Sequence, residues 1–452
     1  MNHFTRECST AAFSIRRFPW LIVLFLAVVF FFTQEGMHFL DKGVQASNPS
    51  ETELTAGVVD GSLSREIALI ALGLFAVISL IRQGGARLRP NGALGWIVLL
   101  YVGWAILSLV WAEDRGLTFR RVTVFVILCL AAAAIARQLT LHGIRLLTFF
   151  CTVLFLIVGV LGELALGAFH PFTLGYRFAG SLGPNPQGIN CALLLLSGVA
   201  SAHTAKHGRM LFGAWAMLGF VFLALTGSRT GLAAVIFALA VYIDLVISKP
   251  AKIGLSIAIT VTLVMVVCLF FLLAPEPRHS YLNGVALFRK DDPSASYFDG
   301  RTTIWADCLH YAYRHPLLGY GFGGFWTEGH LTEISTIESW GVAEAHSAYI
   351  DCLLSLGFVG LAIFVFALLG GVARSLTLHR VSRIPANAFA AGLLMFCTVH
   401  GFLESGIRDA SFLMFLLMVV LARLALTTNY ALPGATYSVA SMSSSATSGL
   451  PK

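Results

Sequence analysis

Charged residues are scarce in this sequence. Only 12% of its 452 residues are Asp, Glu, Lys or Arg, whereas 57% are hydrophobic. So few charges cannot cover the surface of a soluble globule of this size, and several apolar runs are nearly long enough to cross a bilayer. The composition therefore excludes an ordinary soluble protein and predicts an integral membrane protein.

The sequence also lacks the short motifs that mark metal-dependent and serine-dependent catalysis. It contains no HExxH, no Asp-x-Asp, no CxxC and no GxSxG. Five histidines share one long polar segment, but none has the spacing of a metal site: His279, His310, His315, His330 and His346. We therefore expect no metal and no other cofactor.

The eight cysteines show no pairing pattern. Five of them lie inside apolar segments, where cysteine is usually a small core residue: Cys129, Cys151, Cys191, Cys268 and Cys397. Cys308 and Cys352 lie near the polar residues discussed below. A disulfide or a nucleophilic thiol remains an alternative at these two positions.

Apolar windows of near-spanning length predict an all-α polytopic membrane protein with about twelve transmembrane helices. They fall at about 18–33, 67–81, 93–112, 122–136, 144–169, 189–204, 210–226, 232–248, 253–274, 348–371, 386–402 and 412–426. We expect one helical domain over 1–427 that includes a long outer loop, 275–347. Residues 428–452 are too poor in large apolar side chains to pack, which predicts a disordered cytoplasmic tail.

Basic residues occur mainly in short clusters between the apolar runs, as in cytoplasmic loops. If the helices alternate, one side receives Arg6, Arg16, Arg17, Arg82, Arg87, Arg89, Arg137, Arg145, Lys206, Arg209, Lys249, Lys252, Arg374, Arg380 and Arg383. This pattern explains the net charge of +7 without nucleic-acid binding. Arg115, Arg120 and Arg121 break it, because they fall in a short loop on the other side. Either the third and fourth helices are miscounted, or these arginines have a function there.

The same alternation places the other polar segments together on the outer face. They are residues 34–66, 170–188, 227–230 and 275–347. Because hydropathy and basic loops alone determined the alternation, this coincidence supports a site that faces the periplasm or the cell exterior.

Three arginines on that face are candidates for binding a diphosphate. Arg229 lies between two apolar runs. Placing an arginine near hydrocarbon costs roughly 2.5–3.5 kcal/mol, so this side chain needs an anionic partner or must reach the membrane interface. Arg301 begins a stretch of helical character, and Arg177 lies in the loop GYRFAGSLGPNP. Guanidinium groups stay charged and match phosphate oxygens bidentately. A snorkelling arginine that ends a helical hairpin remains the alternative for Arg229.

Aromatic and glycine residues surround these arginines. Trp305, Cys308 and Tyr311 form an amphipathic stripe that suits the membrane surface. The segment GYGFGGF, which contains Tyr320, has glycines that permit a close backbone approach to a ligand and aromatic rings suited to stacking on sugars. Anchoring at the bilayer interface is the commoner use of such rings.

His346 is the candidate proton acceptor. It precedes the tenth apolar window and is followed by Tyr349 and Asp351. An imidazole can accept the proton of an attacking hydroxyl, and either Glu344 or Asp351 is suited to orient it. A water-exposed histidine at a helix entry is the simpler alternative.

These residues together resemble the O-antigen ligase and polymerase superfamily. The resemblance lies in Gly-Ser-Arg at a short turn, Gly-Arg-x3-Trp, His-Pro-Leu-Leu-Gly-Tyr-Gly and Ala-His-Ser-x-Tyr, over about residues 175–404. The segment LSLVWAEDRGLTFRR looks like the exopolysaccharide polymerases of that superfamily, which adds Arg120 and Arg121 to the residues expected to bind substrate. Glu404 adds a carboxylate at the outer end of the eleventh window.

The resemblance implies a metal-independent inverting glycosyltransferase that acts on polyprenyl-diphosphate-linked sugars. Arg229 and Arg301 are then expected to bind the donor diphosphate, and His346 is expected to be the general base. Substrate binding is expected to involve Arg177, Arg120, Arg121, Trp305, Tyr320, Tyr349 and Glu404.

We therefore expect a polymerase of lipid-linked oligosaccharide repeats in a bacterial inner membrane, with a periplasmic active site. Its partners are the lipid-linked donor and acceptor, membrane lipid, and chain-length and export proteins. A ligase that transfers glycan to lipid A core would use the same donor. A flippase would also need many helices and arginines, but transporters hold their charges near the bilayer midplane.

Overall fold

The computed structural model describes residues 19–34, 62–82, 87–173, 176–247, 301–338, 341–407 and 410–427. These residues form thirteen α-helices, a 3-10 turn at Ser108–Val110 and one isolated β-bridge. The helices are α1 Trp20–Thr33, α2 Leu63–Ile81, α3 Gly92–Leu107, α4 Arg115–Gln138, α5 Leu141–Ala165, α6 Pro184–Thr204, α7 Arg209–Thr226, α8 Arg229–Val246, α9 Arg301–Arg314, α10 Glu328–Glu338, α11 Ala348–Ser382, α12 Pro385–Leu403 and α13 Phe412–Leu426. The predicted all-α class is confirmed.

Eight helices of the described part are long and apolar enough to cross a membrane. They are α2, α3 with its 3-10 extension, α4, α5, α7, α8, α11 and α12. The shorter helices α1 and α13 are also apolar. The polytopic membrane fold is therefore confirmed. The predicted window at 253–274, the first part of the outer loop at 275–300 and the predicted tail at 428–452 lie outside the described residues.

One predicted boundary is wrong. The fourth window was expected to begin near Val122, with Arg115, Arg120 and Arg121 in a loop, but α4 begins at Arg115. The Asp114 side chain accepts a hydrogen bond of 2.9 Å from the backbone N–H of Leu117. This cap satisfies an N–H that the helix start leaves unpaired, so the helix includes the polar residues that hydropathy had excluded.

Three helices lie inside the bundle. Nearly every residue of α13 is buried, and most of α6 and α12 are also buried. α13 contacts α3, α4, α5, α11 and α12. Its phenylalanines pack against other helices, with the rings of Phe30 and Phe415 4.9 Å apart. Shielding by neighbouring helices explains how α6, which includes Asn190 and Ser197, stays within an apolar assembly.

The two ends of the bundle differ in chemistry. At one end, basic side chains donate to the carbonyls of neighbouring helix ends, with the half-buried Arg137 bonded to Leu80 at 2.6 Å and the buried Arg145 to Ala200 at 3.1 Å. Glu163 lies eighteen residues after Arg145 on α5, about 27 Å away along the helix. The acidic and amide side chains of the candidate site lie at this second end.

A small second core covers the entry of α11. Helices α9 and α10 and the loop between them bury Ile304, Cys308, Tyr311, Tyr320 and Phe325. The predicted amphipathic stripe of α9 therefore packs largely against protein, with Cys308 and Tyr311 buried, and not on a membrane surface as expected.

The glycine-rich segment docks into a break in α11. Gly357 has φ 66° and ψ −172°, which interrupts the helix and frees carbonyl groups. The N–H groups of Tyr320 and Gly321 donate to the carbonyls of Leu354 and Ser355 at 2.8 and 3.0 Å. A side chain at Gly319 would lie 2.6 Å from the Leu354 carbonyl oxygen. The close backbone approach predicted at Gly319 is therefore made to protein, where only glycine fits.

Candidate active site

Glu404 lies at the centre of a polar cluster built from distant parts of the chain. It is the C-cap residue of α12. Arg301, the first residue of α9, donates to Glu404 Oε1 at 2.7 Å and to the carbonyl of Leu403 at 2.5 Å. Asn185 of α6 donates to the same Glu404 oxygen at 3.4 Å, and His346 Nδ1 lies 3.8 Å from Oε2. An arginine, a histidine and an amide therefore meet at one carboxylate.

Arg177 extends this cluster toward Arg229. Its Nη2 donates to Asn185 Oδ1 at 3.1 Å, and its Nε donates to the carbonyl of Thr226 at 2.8 Å. Thr226 is the last residue of α7, immediately before the turn that leads into α8. Arg177, Asn185, Arg301, Glu344, His346 and Glu404 are called the Glu404 network below.

Arg229 begins α8 and is exposed. The side chain of Ser228 caps this helix by accepting from the N–H of Gly231 at 3.2 Å. A cation at a helix N-terminus is unfavourable with respect to the helix dipole, whereas an anion there is stabilised by the free N–H groups. The position therefore suits an arginine that binds an anionic ligand better than one that stabilises the helix.

The loop that carries Arg177 is held by a buried carboxylate. Glu163, in the last turns of α5, is fully buried and accepts from the N–H groups of Ala179 and Gly180, each at 2.8 Å. It also accepts from the hydroxyl of Tyr176. Three donors on both sides of Arg177 thus converge on one charge, which makes the position of this loop specific.

His346 has a strained backbone. Its φ of 49° is in the left-handed region, which non-glycine residues seldom adopt. Hydrogen bonds hold the residue before it: Trp305 donates to the carbonyl of Ala345 at 2.9 Å, and the Ala345 N–H donates to Asp351 at 3.3 Å. Such conformations persist where surrounding contacts determine them and cluster at functional sites.

Asp351 stabilises the segment that carries Ala345 and His346. Its carboxylate accepts from the indole N–H of Trp326 at 2.8 Å and from the hydroxyl of Ser405. Ser405 follows Glu404 in the chain, so Asp351 links the backbone of Ala345 to the side chain of the residue after Glu404. Of the two carboxylates predicted to orient His346, Asp351 thus bonds the backbone of the preceding residue, Ala345, and Glu344 contacts the His346 ring.

The electrostatics of His346 follow from its two carboxylate neighbours. Its Nδ1 lies 3.1 Å from Glu344 Oε1 and 3.8 Å from Glu404 Oε2. Burial lowers the pKa of the imidazole, but pairing with Glu344 and Glu404 outweighs burial and raises the pKa to about 10. Burial raises the pKa of Glu404, yet His346 and Arg301 more than compensate, so the pKa lies below its usual value. At neutral pH this network holds an imidazolium between carboxylates.

The carboxylates of Glu344 and Glu404 are also potential metal ligands. Among the described residues, Glu344, His346 and Glu404 have potential ligand atoms within 4.8 Å of one another. The guanidinium of Arg301 already pairs with Glu404 at 2.7 Å, however, and a fixed positive charge there disfavours a cation. The arrangement is better suited to an anionic ligand held by arginine.

The remaining predicted residues have different surroundings. Trp305 positions Ala345, and Tyr349 donates its hydroxyl to the carbonyl of Thr398 at 2.9 Å. Tyr320 is buried in the second core and donates to the carbonyl of Tyr311 at 3.0 Å. Arg121 lines a separate cavity, and Arg120 beside it is exposed. The structure therefore brings Arg177, Arg301, His346 and Glu404 together, but it does not bring Tyr320 into this network.

Two site residues were missed in the sequence. A glutamate inside the apolar run LFLIVGVLGELAL is costly in a membrane, and this signal alone could have identified Glu163. Asn185 carries no comparable signal. Neither alternative for Cys308 and Cys352 is supported. Both cysteines are free, so they form no disulfide, and both are buried. Burial raises the pKa of Cys308, which disfavours the reactive thiolate.

Part of the chain matches a known protein family. Residues 213–365 match a family model described as O-antigen ligase. The matched segment runs from α7 into α11 and includes Arg229, Arg301 and His346, whereas Glu163, Arg177 and Glu404 lie outside it. Among curated proteins, none matches this chain significantly.

Proposed function

We propose that this chain, a member of the O-antigen ligase and polymerase superfamily by its residues 213–365, polymerises polyprenyl-diphosphate-linked oligosaccharide repeats. The family supports a glycosyltransferase of this type with lipid-linked glycan substrates. The convergence of Arg301 and His346 on Glu404, with Arg177 joining that network to the turn before Arg229, carries the proposal.

The reaction joins two glycans in one displacement. A hydroxyl oxygen of the acceptor attacks the anomeric carbon of the donor, and the bond between that carbon and the diphosphate breaks with inversion. His346 accepts the proton of the hydroxyl as the new bond forms. Arg301 and Arg229 stabilise the negative charge that develops on the leaving diphosphate, so no metal is required.

The carboxylates prepare His346 for this role. Because Nδ1 faces Glu344 and Glu404, its proton is directed to them, and Nε2 is the nitrogen that exchanges a proton with the acceptor. The raised pKa means that the neutral base is a minor form at pH 7. The rate of the proposed reaction therefore increases as the pH rises toward 10.

The positions of the basic residues at the two ends of the bundle support a periplasmic site in a bacterial inner membrane. The Glu404 network lies where α5 and α12 end and α6 and α11 begin, whereas Arg137 and Arg145 lie at the opposite end of the bundle. The positive-inside rule assigns such a basic end to the cytoplasm. On this orientation, chain-length and export proteins would meet the product on the periplasmic side.

The test is an in vitro assay of the purified full chain with a defined lipid-linked repeat. Wild-type protein is expected to form a ladder of longer glycans on the polyprenyl carrier, and His346→Ala is expected to lose it with unchanged membrane abundance. Glu328→Gln, an exposed change on α10, is the matched control and should keep the ladder. Equal chain length in His346→Ala and wild type would remove the proposed base.

A ligase is the second candidate, because the matching family model is described as O-antigen ligase. Glycan that appears only on lipid A core in a complemented deletion strain would favour this reaction. A flippase is less compatible, since the network lies at helix ends and not at the bilayer midplane. Glycan elongation by the purified chain would exclude transport alone.

A further inference from the structure

A second site adjoins the Glu404 network. A cavity of about 830 Å³, counted with its open mouth, lies between α3, α4, α11 and the start of α13. Its lining includes two arginines, Arg65 and Arg121, and a largely apolar wall with the rings of Phe125, Phe322 and Phe364. The rings of Phe125 and Phe322 are 4.6 Å apart, so this wall is packed.

The lining identifies the chemistry of an occupant. Two guanidinium groups match a phosphate, whereas an aromatic and aliphatic wall matches a hydrocarbon chain. The closed part of the cavity is about 70 Å³, room for about five water molecules, which suits a phosphate head group whose chain leaves through the open mouth along the apolar wall. An amphiphile with an anionic phosphate head satisfies both requirements.

One residue of the cavity wall also contacts the segment that carries His346. Asp351 lines it and accepts from the N–H of Ala345, the residue before His346. The donor diphosphate, however, is assigned to Arg301 and Arg229, neither of which lines this cavity. A lipid held here therefore lies beside the base without occupying the donor site.

We propose that this cavity binds the phosphate and first isoprene units of the second lipid-linked substrate, the acceptor. The inference rests on the proposed function, because a polymerase must hold two lipid carriers at once. Arg121 and Arg65 hold the acceptor phosphate, and the phenylalanines cover its chain. Arg121 thereby gains a role distinct from that of the donor arginines.

The experiment measures binding and not catalysis. Full-length protein in nanodiscs is labelled with a short polyprenyl monophosphate that carries a photoreactive group on its second isoprene unit, and labelled peptides are mapped. Arg301→Gln protein is used alongside wild type, because it weakens the donor site. Labelling of residues 101–128 or 348–364 is expected in both proteins.

Variants of α4 decide the outcome. Arg121→Gln should weaken this labelling roughly tenfold or more, since a hydrogen bond to a charged group contributes about 1.5–3 kcal/mol, and Arg121→Lys should restore part of it. Arg115→Gln, an exposed change on the same helix, should label as wild type. Polyprenol without phosphate should label weakly, because it offers Arg121 and Arg65 no negative charge. Inorganic phosphate should compete poorly, because it lacks the chain that contacts the apolar wall.

Two results would overturn the proposal. Equal labelling in Arg121→Gln and wild type would remove the phosphate site, and labelling confined to the peptides that carry Arg301 and Glu404 would leave only a donor site. Because the readout is covalent labelling, either result is distinguishable from failure of the proposed polymerase activity.

Discussion

Glu344→Gln should make the enzyme more active near neutral pH. The neutral imidazole of His346 is the reactive form, and its pKa of about 10 is raised by the carboxylates of Glu344 and Glu404. Removing one carboxylate lowers this pKa, so a larger fraction of the base is neutral at pH 7–8. The rising limb of the pH–rate profile therefore moves to lower pH.

The size of the shift follows from the 3.1 Å between His346 Nδ1 and Glu344 Oε1. Two unit charges at that distance interact by about 1.3 kcal/mol in bulk water and by about twice as much at half that dielectric constant. One pKa unit corresponds to about 1.4 kcal/mol. A shift of about one to two pH units is expected, and Glu404 then supplies what remains of the elevation.

The assay is kcat/KM for glycan elongation between pH 6 and pH 10 with the purified chain. Glu328→Gln serves as the control, since this glutamate is exposed in the first turn of α10, and its profile should coincide with that of wild type. A Glu344→Gln limb that stays in place, or that moves to higher pH, would refute the role of His346 as a carboxylate-paired base.

Two further predictions concern the scaffold of the site. Glu163→Gln should lower kcat by tenfold or more with little change in membrane abundance, because the buried carboxylate that positions the Arg177 loop loses its charge; an unchanged rate would show that this loop needs no such anchor. Gly357→Ala should lower the thermal midpoint in detergent, since an added methyl group would overlap the Leu317 carbonyl at a position with φ 66°, whereas Gly103→Ala on α3, where a methyl group meets nothing within 4 Å, should not.

The break in α11 illustrates why some motifs are misread from sequence. GYGFGGF has the composition of a ligand loop, yet its N–H groups satisfy the carbonyls freed at Gly357, thirty-three residues after Gly324. A helix interruption by glycine inside an apolar run gives only a weak local signal. The function of the glycines is therefore a property of two segments together.

The contacts of several other side chains could likewise not be predicted from the sequence. Asn185 has the appearance of a loop residue after Pro184, but it bridges Arg177 and Glu404. Cys308 and Tyr311 lie on an amphipathic stripe that predicts a membrane surface, whereas a second protein core covers them. Periodicity shows that a face is apolar, but not whether lipid or protein covers it.

The amino-acid sequence by itself determined the class of molecule and the approximate position of the described apolar helices, because hydrocarbon requires long apolar helices whose backbone groups are satisfied within each segment. It also determined which residue types could bind a diphosphate and accept a proton. Only the tertiary structure decided that Arg177, Arg301 and His346 meet through Asn185 and Glu404, and that Arg121 lies in another cavity. Charges far apart in the chain interact through space, and their distances depend on how the helices pack, which no local pattern records.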